Sequence, residues 1–173
     1  SPLAHWLELE PWEITGRSES IVRQLLADLD SSDYRIVEDV AVHQSCTVES
    51  GAILKGPLIL GPNCFVAAGA YIRGGSWVDA GCTFGPGSEL KSSFVFAGSK
   101  LAHFNFVGDS LLGQDVNLEA AASSATIATS VRTRRSSSAL ARRSVVVAAT
   151  SLGPSSATTA ALERTRLSLP ERC

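Results

Sequence analysis

A bulky apolar residue recurs at every sixth position from residue 36 to residue 96: Ile36, Val42, Val48, Leu54, Leu60, Val66, Ile72, Val78, Phe84, Leu90 and Phe96. That period fits neither the 3.6-residue helix nor the two-residue alternation of a strand, and a fixed internal repeat points to a solenoid. Four places after most guides stands a small or apolar residue, as in Cys46, Ala52, Cys64, Ala70, Ser76, Cys82 and Ser88. Turn residues fall between them at Gly56-Pro57, Gly61-Pro62, Gly74-Gly75 and Gly85-Pro86, where a chain changes direction. Two inward residues per six, separated by corners, describe short strands, and three such strands close one 18-residue coil of a triangular prism. About four to five coils fit between residues 36 and 120. The expected class is all-β, a parallel β-helix. Cys46, Cys64 and Cys82, 18 apart, should stack on one inner edge as inert core filler.

The flanks are different kinds of sequence. Residues 1–35 hold one amphipathic stretch, Ile21 to Leu29, with Ser18 or Ser20 placed to cap a short helix. This helix is expected to cover the open end of the first coil, with Trp6 and Trp12 packing there or against another subunit. Residues 121–173 hold 8 Arg against 2 Glu and no aromatic residue, whereas residues 1–120 hold 7 basic against 15 acidic residues and 13 of the 14 glycines. The sixfold pattern stops at residue 120, so an irregular Ala/Ser/Thr/Arg-rich tail is expected. Two readings of it stand: a disordered Arg-rich segment able to touch nucleic acid or acidic surfaces, or a GC-rich gene read out of frame after Ala120, which the abrupt change favours. Val145 to Ala149 could still form a strand or helix. Nucleic acid is not an expected partner of the rest of the chain.

Positions one coil apart lie about 4.8 Å apart, so Lys55, Arg73 and Lys91 form a column. Each follows an inward guide and should point outward from one face. Unit charges at that spacing repel by about 1 kcal/mol in water, and a bound anion would relieve them. A solvated column of splayed side chains is the bland alternative.

Beyond the column the chain carries Gly98-Ser99-Lys100-Leu101-Ala102-His103, then Gly108-Asp109 and Val116-Asn117. With the sixfold guides, these elements resemble the hexapeptide-repeat acyltransferases, and above all the acetyltransferase domain of the bifunctional enzymes that acetylate and then uridylylate glucosamine 1-phosphate. The resemblance implies a left-handed β-helix, acetyl-CoA as cosubstrate, an amino-sugar phosphate as acceptor, and a trimer. It also implies roles: Arg73 and Lys91 holding the phosphate, His103 as general base, Asn117 orienting the substrate, and Phe106 standing where the family has a tyrosine. Lys55 would extend the phosphate-binding column. An imidazole is suited to take the proton that an amine loses as it attacks a thioester near neutral pH.

Three departures qualify that reading. Phe106 lacks the phenolic hydroxyl. The uridylyltransferase domain and its Gly-rich loop are not found in these residues. After Ala120 the family's further coils, which carry a second sugar-binding lysine and much of the acetyl-CoA groove, give way to the tail, with Arg132 in that lysine's place. The leading expectation is an acetyl-CoA-dependent sugar-phosphate N-acetyltransferase impaired in its C-terminal part. The alternative is a non-catalytic sugar-phosphate-binding, oligomerisation or regulatory module of a nucleotide-sugar enzyme. No Cys/His cluster has metal-ligand spacing, and no export signal or membrane-length apolar run is read, so the expected location is cytoplasmic.

Overall fold

The computed structural model describes residues 3–6, 8–120, 123–124 and 147–148. Helices α1 (Pro11–Gly16) and α2 (Ser18–Ala27) precede a hairpin in which Tyr34–Val37 runs antiparallel to Val40–His43. Glu38 and Asp39 join these strands with left-handed backbone at both positions, as a two-residue hairpin turn demands.

From Val40 onward the chain winds as a three-sided β-solenoid of about four turns. The first face stacks Val40–His43, Leu58–Leu60, Ser76–Val78, Phe94–Val95 and Ser110–Leu112, all parallel. The second stacks Thr47–Val48, Phe65–Val66, Thr83–Phe84, Lys100–Leu101 and Asn117–Leu118. The third stacks Ile53–Leu54, Tyr71–Arg73, Glu89–Lys91, Phe106–Gly108 and Ser123–Ser124. The prism interior is lined by Val42, Leu60, Val66, Ile72, Val78, Phe84 and Leu90, with Val48 and Leu54 half-buried against them. Each fully buried large side chain of this kind contributes about 1.5–3 kcal/mol.

The two ends of the sixfold series depart from expectation. Ile36 belongs to the hairpin strand outside the coils and is 43% exposed. At the other end the coil shortens. The regular spacing holds up to Lys91, which lies beside Arg73, but Phe94 lies beside Trp77, so this coil is one residue short. One left-handed residue, Ser92, turns the corner that Gly74 and Gly75 turn in the coil below. The inward residue is therefore Val95, and Phe96 faces outward, its ring edge-on to Trp77 with centroids 5.6 Å apart. The shorter spacing then persists, pairing Glu89 with Phe106 and Lys100 with Asn117.

The helices do not cover the open end. On the first face the outward residues Ala41, Ile59, Trp77 and Phe94 stack in register, and Leu3, Ile14, Ile21 and Val22 bury them. An apolar outer column needs a cover, and α1 and α2 lie along it. They dock tightly enough that a Cβ on Gly75 would come within 2.6 Å of the Glu19 amide. The bottom of that face is closed by Tyr34–Val37 instead. α2 begins at Ser18, which is buried, without a side-chain cap, and the Ser20 hydroxyl donates to the Arg17 carbonyl. Trp6 packs in this cluster, whereas Trp12 is 49% exposed.

The thiol column is as expected and makes a ladder. Cys46 Sγ donates to the Gly61 carbonyl, Cys64 to Asp79, Cys82 to Phe96, and Ser99 continues it with a bond to Gly113. Most of residues 121–173, with the tail readings and Arg132, lies outside the described residues. Within that stretch, Val147–Ala148 pairs antiparallel with the top strand of the first face. No helix among the described residues is long and apolar enough to cross a membrane.

Candidate functional site

On the third face each three-residue strand points its middle residue inward and its flanking residues outward. Two outward columns result. Lys55, Arg73 and Lys91 rise in register, with Gly108 in the next place. Beside them rise Ile53, Tyr71, Glu89 and Phe106.

Two of the three cations meet carboxylates of the chain itself. Arg73 Nε donates to Glu89 Oε1 at 2.8 Å, and Lys91 Nζ to Asp109 Oδ2 at 3.2 Å. Lys55 Nζ lies 5.2 Å from the centre of the Tyr71 ring and Arg73 Cζ 5.7 Å from it, so one ring serves two cations. Among the described residues Lys55 has no carboxylate partner. About a third of each ion-paired side chain remains open to solvent. Such pairs contribute about 1 kcal/mol or less, and the cation–π contacts about 0.5–1 kcal/mol. The charges are held in place without being sequestered.

His103 is exposed at the corner between the second and third faces, in the coil above Lys91. Its ring meets that of Phe104 edge-on, with centroids 5.9 Å apart. Along the third face this corner and the cation column are separated by on the order of 10 Å, from the rise of the intervening strand residues. Among the described residues no carboxylate hydrogen-bonds the imidazole. Phe106 follows on the third face, its ring lying over Gly108: a Cβ there would meet Phe106 Cζ at 2.9 Å.

Asn117 lies elsewhere. It is on the second face beside Lys100, and its amide donates to Glu119 Oε1 at 2.7 Å. Continued past Leu118, that register sets Ala120 above His103, so Asn117 stops short of His103's own corner. The structure thus groups Lys55, Arg73, Lys91 and Phe106 on one face, sets His103 at its edge, and leaves Asn117 round the corner. Sequence reading gave no partner to Glu89, Asp109 or Tyr71: the two carboxylates meet their cations diagonally between coils, and Tyr71 lies on the same strand as Arg73 and diagonally to Lys55.

No family model matches the chain. Among curated proteins it is similar to the bifunctional protein GlmU of Heliobacterium modesticaldum, 34% identical over 88 residues, 51% of this chain and 18% of that protein. It is also similar to GlmU of Alkalilimnicola ehrlichii, 32% identical over 97 residues, 56% of this chain and 21% of that protein. The chain spans about one fifth of the length of these relatives. Among solved structures, a GDP-perosamine N-acetyl transferase variant from Caulobacter crescentus in complex with CoA and GDP-perosamine aligns with 67% of this chain and 69% of its own, at 17% identity and a TM-score of 0.26. The acetyltransferase domain of PglB from Neisseria gonorrhoeae aligns with 68% and 73%, at 14% identity and the same TM-score, 0.26. The coil architecture and the sequence relatives together make the chain a three-sided β-helix with partial homology to the acetyltransferase region of GlmU.

Proposed function

We propose that this chain is an acetyl-CoA-dependent N-acetyltransferase acting on an amino-sugar phosphate such as glucosamine 1-phosphate. The observation that carries the reading is the in-register Arg73 and Lys91 on one outer face, with His103 exposed at the edge of the same face one coil above. In this reading the phosphate sits against Arg73 and Lys91, with Lys55 extending the positive column. His103 takes the proton released as the acceptor amine attacks the acetyl thioester. Phe106 walls the site without the hydrogen bond of a tyrosine. Asn117 reaches the substrate from the second face by leaving Glu119. A cytoplasmic homotrimer belongs to the same proposal.

A second reading is favoured by the His103 imidazole, which no carboxylate hydrogen-bonds among the described residues although a catalytic base is usually oriented by such a partner: a non-catalytic sugar-phosphate-binding or oligomerisation module. Thiol release from acetyl-CoA in the presence of glucosamine 1-phosphate separates the two. The catalytic reading expects release that falls by about 100-fold or more in His103→Ala, the usual loss for a general base. Binding without thiol release supports the module, and thiol release indifferent to His103 removes that residue as the base.

A further inference from the structure

Among the described residues the corner between the second and third faces is complete in four coils, at Glu49-Ser50-Gly51-Ala52, Ala67-Ala68-Gly69-Ala70, Gly85-Pro86-Gly87-Ser88 and Ala102-His103-Phe104-Asn105. In the first three the third residue is a glycine with left-handed backbone, at φ of +95, +78 and +68. In the fourth it is Phe104, at φ +49. Glycine adopts this conformation freely, whereas a bulky side chain is strained in it. The other non-glycine residues with positive φ among those described are Asn, Asp, Ser and Glu. The strain is not offset by burial, because Phe104 is 70% exposed. Its ring rests against Gly87, where a Cβ would be 2.7 Å from Phe104 Cδ1, and His103 meets its edge. The next corner residue also breaks the pattern. Ala52, Ala70 and Ser88 become Asn105, which is buried and whose Oδ1 has no hydrogen-bond partner. A corner that abandons the local rule at successive positions, and leaves an aromatic ring in solvent, has the features of strain kept for function.

We propose that Phe104 is a binding platform that takes the apolar face of a sugar ring and presents that ring to His103. The C–H groups on one side of a pyranose are apolar and slightly positive, and the face of an aromatic ring is their electrostatic complement. Gly87 lets the ring lie close to the corner below, and His103 limits one edge of the platform. This inference rests on the sugar-phosphate reading of the site and adds a residue to it.

The test measures thermal stability and binding of glucosamine 1-phosphate for the full chain and for Phe104→Gly, Phe104→Leu and Phe104→Tyr, with inorganic phosphate as a ring-free probe. Phe104→Gly restores the rule of the lower coils, so its Tm should equal or exceed that of the parent. Its affinity for glucosamine 1-phosphate should fall about tenfold, the scale of one aromatic contact, while that for inorganic phosphate stays unchanged. Phe104→Leu should bind as weakly as Phe104→Gly, and Phe104→Tyr should bind like the parent. A lowered Tm in Phe104→Gly with unchanged sugar-phosphate binding makes Phe104 structural and overturns the platform. Sugar-phosphate binding that needs Phe104 but leads to no thiol release overturns the catalytic reading and leaves the platform standing. A parent chain that does not bind glucosamine 1-phosphate overturns both.

Discussion

Arg73 bonds to Glu89 diagonally across two coils, Nε to Oε1 at 2.8 Å, although the residue beside it in register is Lys91. The carboxylate thus draws the Arg73 guanidinium toward the neighbouring outward column, while Lys91 pairs with Asp109. An anionic ligand must therefore compete with a built-in one, and the competition can be removed by substitution. Glu89→Gln should leave Arg73 free and tighten binding of inorganic phosphate severalfold, at a stability cost of about 1 kcal/mol or less for a pair this exposed. Calorimetric titration at low salt checks it, since the effect should shrink as salt screens the charges. Weaker phosphate binding would mean that Glu89 holds Arg73 in its binding pose, and unchanged binding that Arg73 does not meet the phosphate.

Gly85 has no room for a side chain. A Cβ there would lie 1.5 Å from the Ala102 carbonyl oxygen, which is backbone of the next coil and cannot turn aside. Gly85→Ala should destabilise the chain on the order of 3 kcal/mol or more by prying two coils apart. Gly16→Ala is the control, because nothing lies within 4 Å of a Cβ there, and it should change stability by no more than about 0.5 kcal/mol. Urea denaturation of both variants measures the difference.

The buried Cys64 thiol gives the chain an alkaline sensitivity. Cys64 is held well above the usual thiol range by the Cys82 thiol beside it and by burial. Above a pH of about 8.5 the unfolded chain releases this proton and the folded chain keeps it. The unfolded state then binds fewer protons, so stability falls as pH rises, by at most about 1.4 kcal/mol per pH unit for one group. The same thiol–thiol hydrogen bond holds Cys82 below the usual thiol range, so the test removes the pair: denaturation midpoints between about pH 9 and 10 should drop more steeply for the parent than for the Cys64→Ala, Cys82→Ala double variant. Equal slopes would show that the pair ionises as readily folded as unfolded.

Much of the fold is legible in the sequence because the interior is periodic. From Val42 to Leu90 every guide residue lines the prism or packs against its lining, and the cation column follows from spacing alone because Lys55, Arg73 and Lys91 all precede the shortened coil. That shortening is hidden, since Val95 and Phe96 are both apolar and either could have been the inward one. Only the corner at Ser92, one residue shorter than Gly74-Gly75, decides between them. The seat of the helices is hidden too, because Ala41, Ile59, Trp77 and Phe94 read as scattered apolar residues until the coils bring them into line. Asn117 meets a family spacing, but its face depends on coil length. The exception at Phe104 could have been found by aligning corners, once the lost residue is allowed for.

Catalysis of the proposed kind requires the cation column and the His103 corner to serve one ligand. A titration of isotopically labelled chain with glucosamine 1-phosphate, followed by nuclear magnetic resonance, tests this most directly. The Arg73 guanidinium and the His103 imidazole resonances should shift together and saturate at the same ligand concentration. If the Arg73 signal moves while that of His103 stays fixed, or if neither moves, the two elements do not form one site.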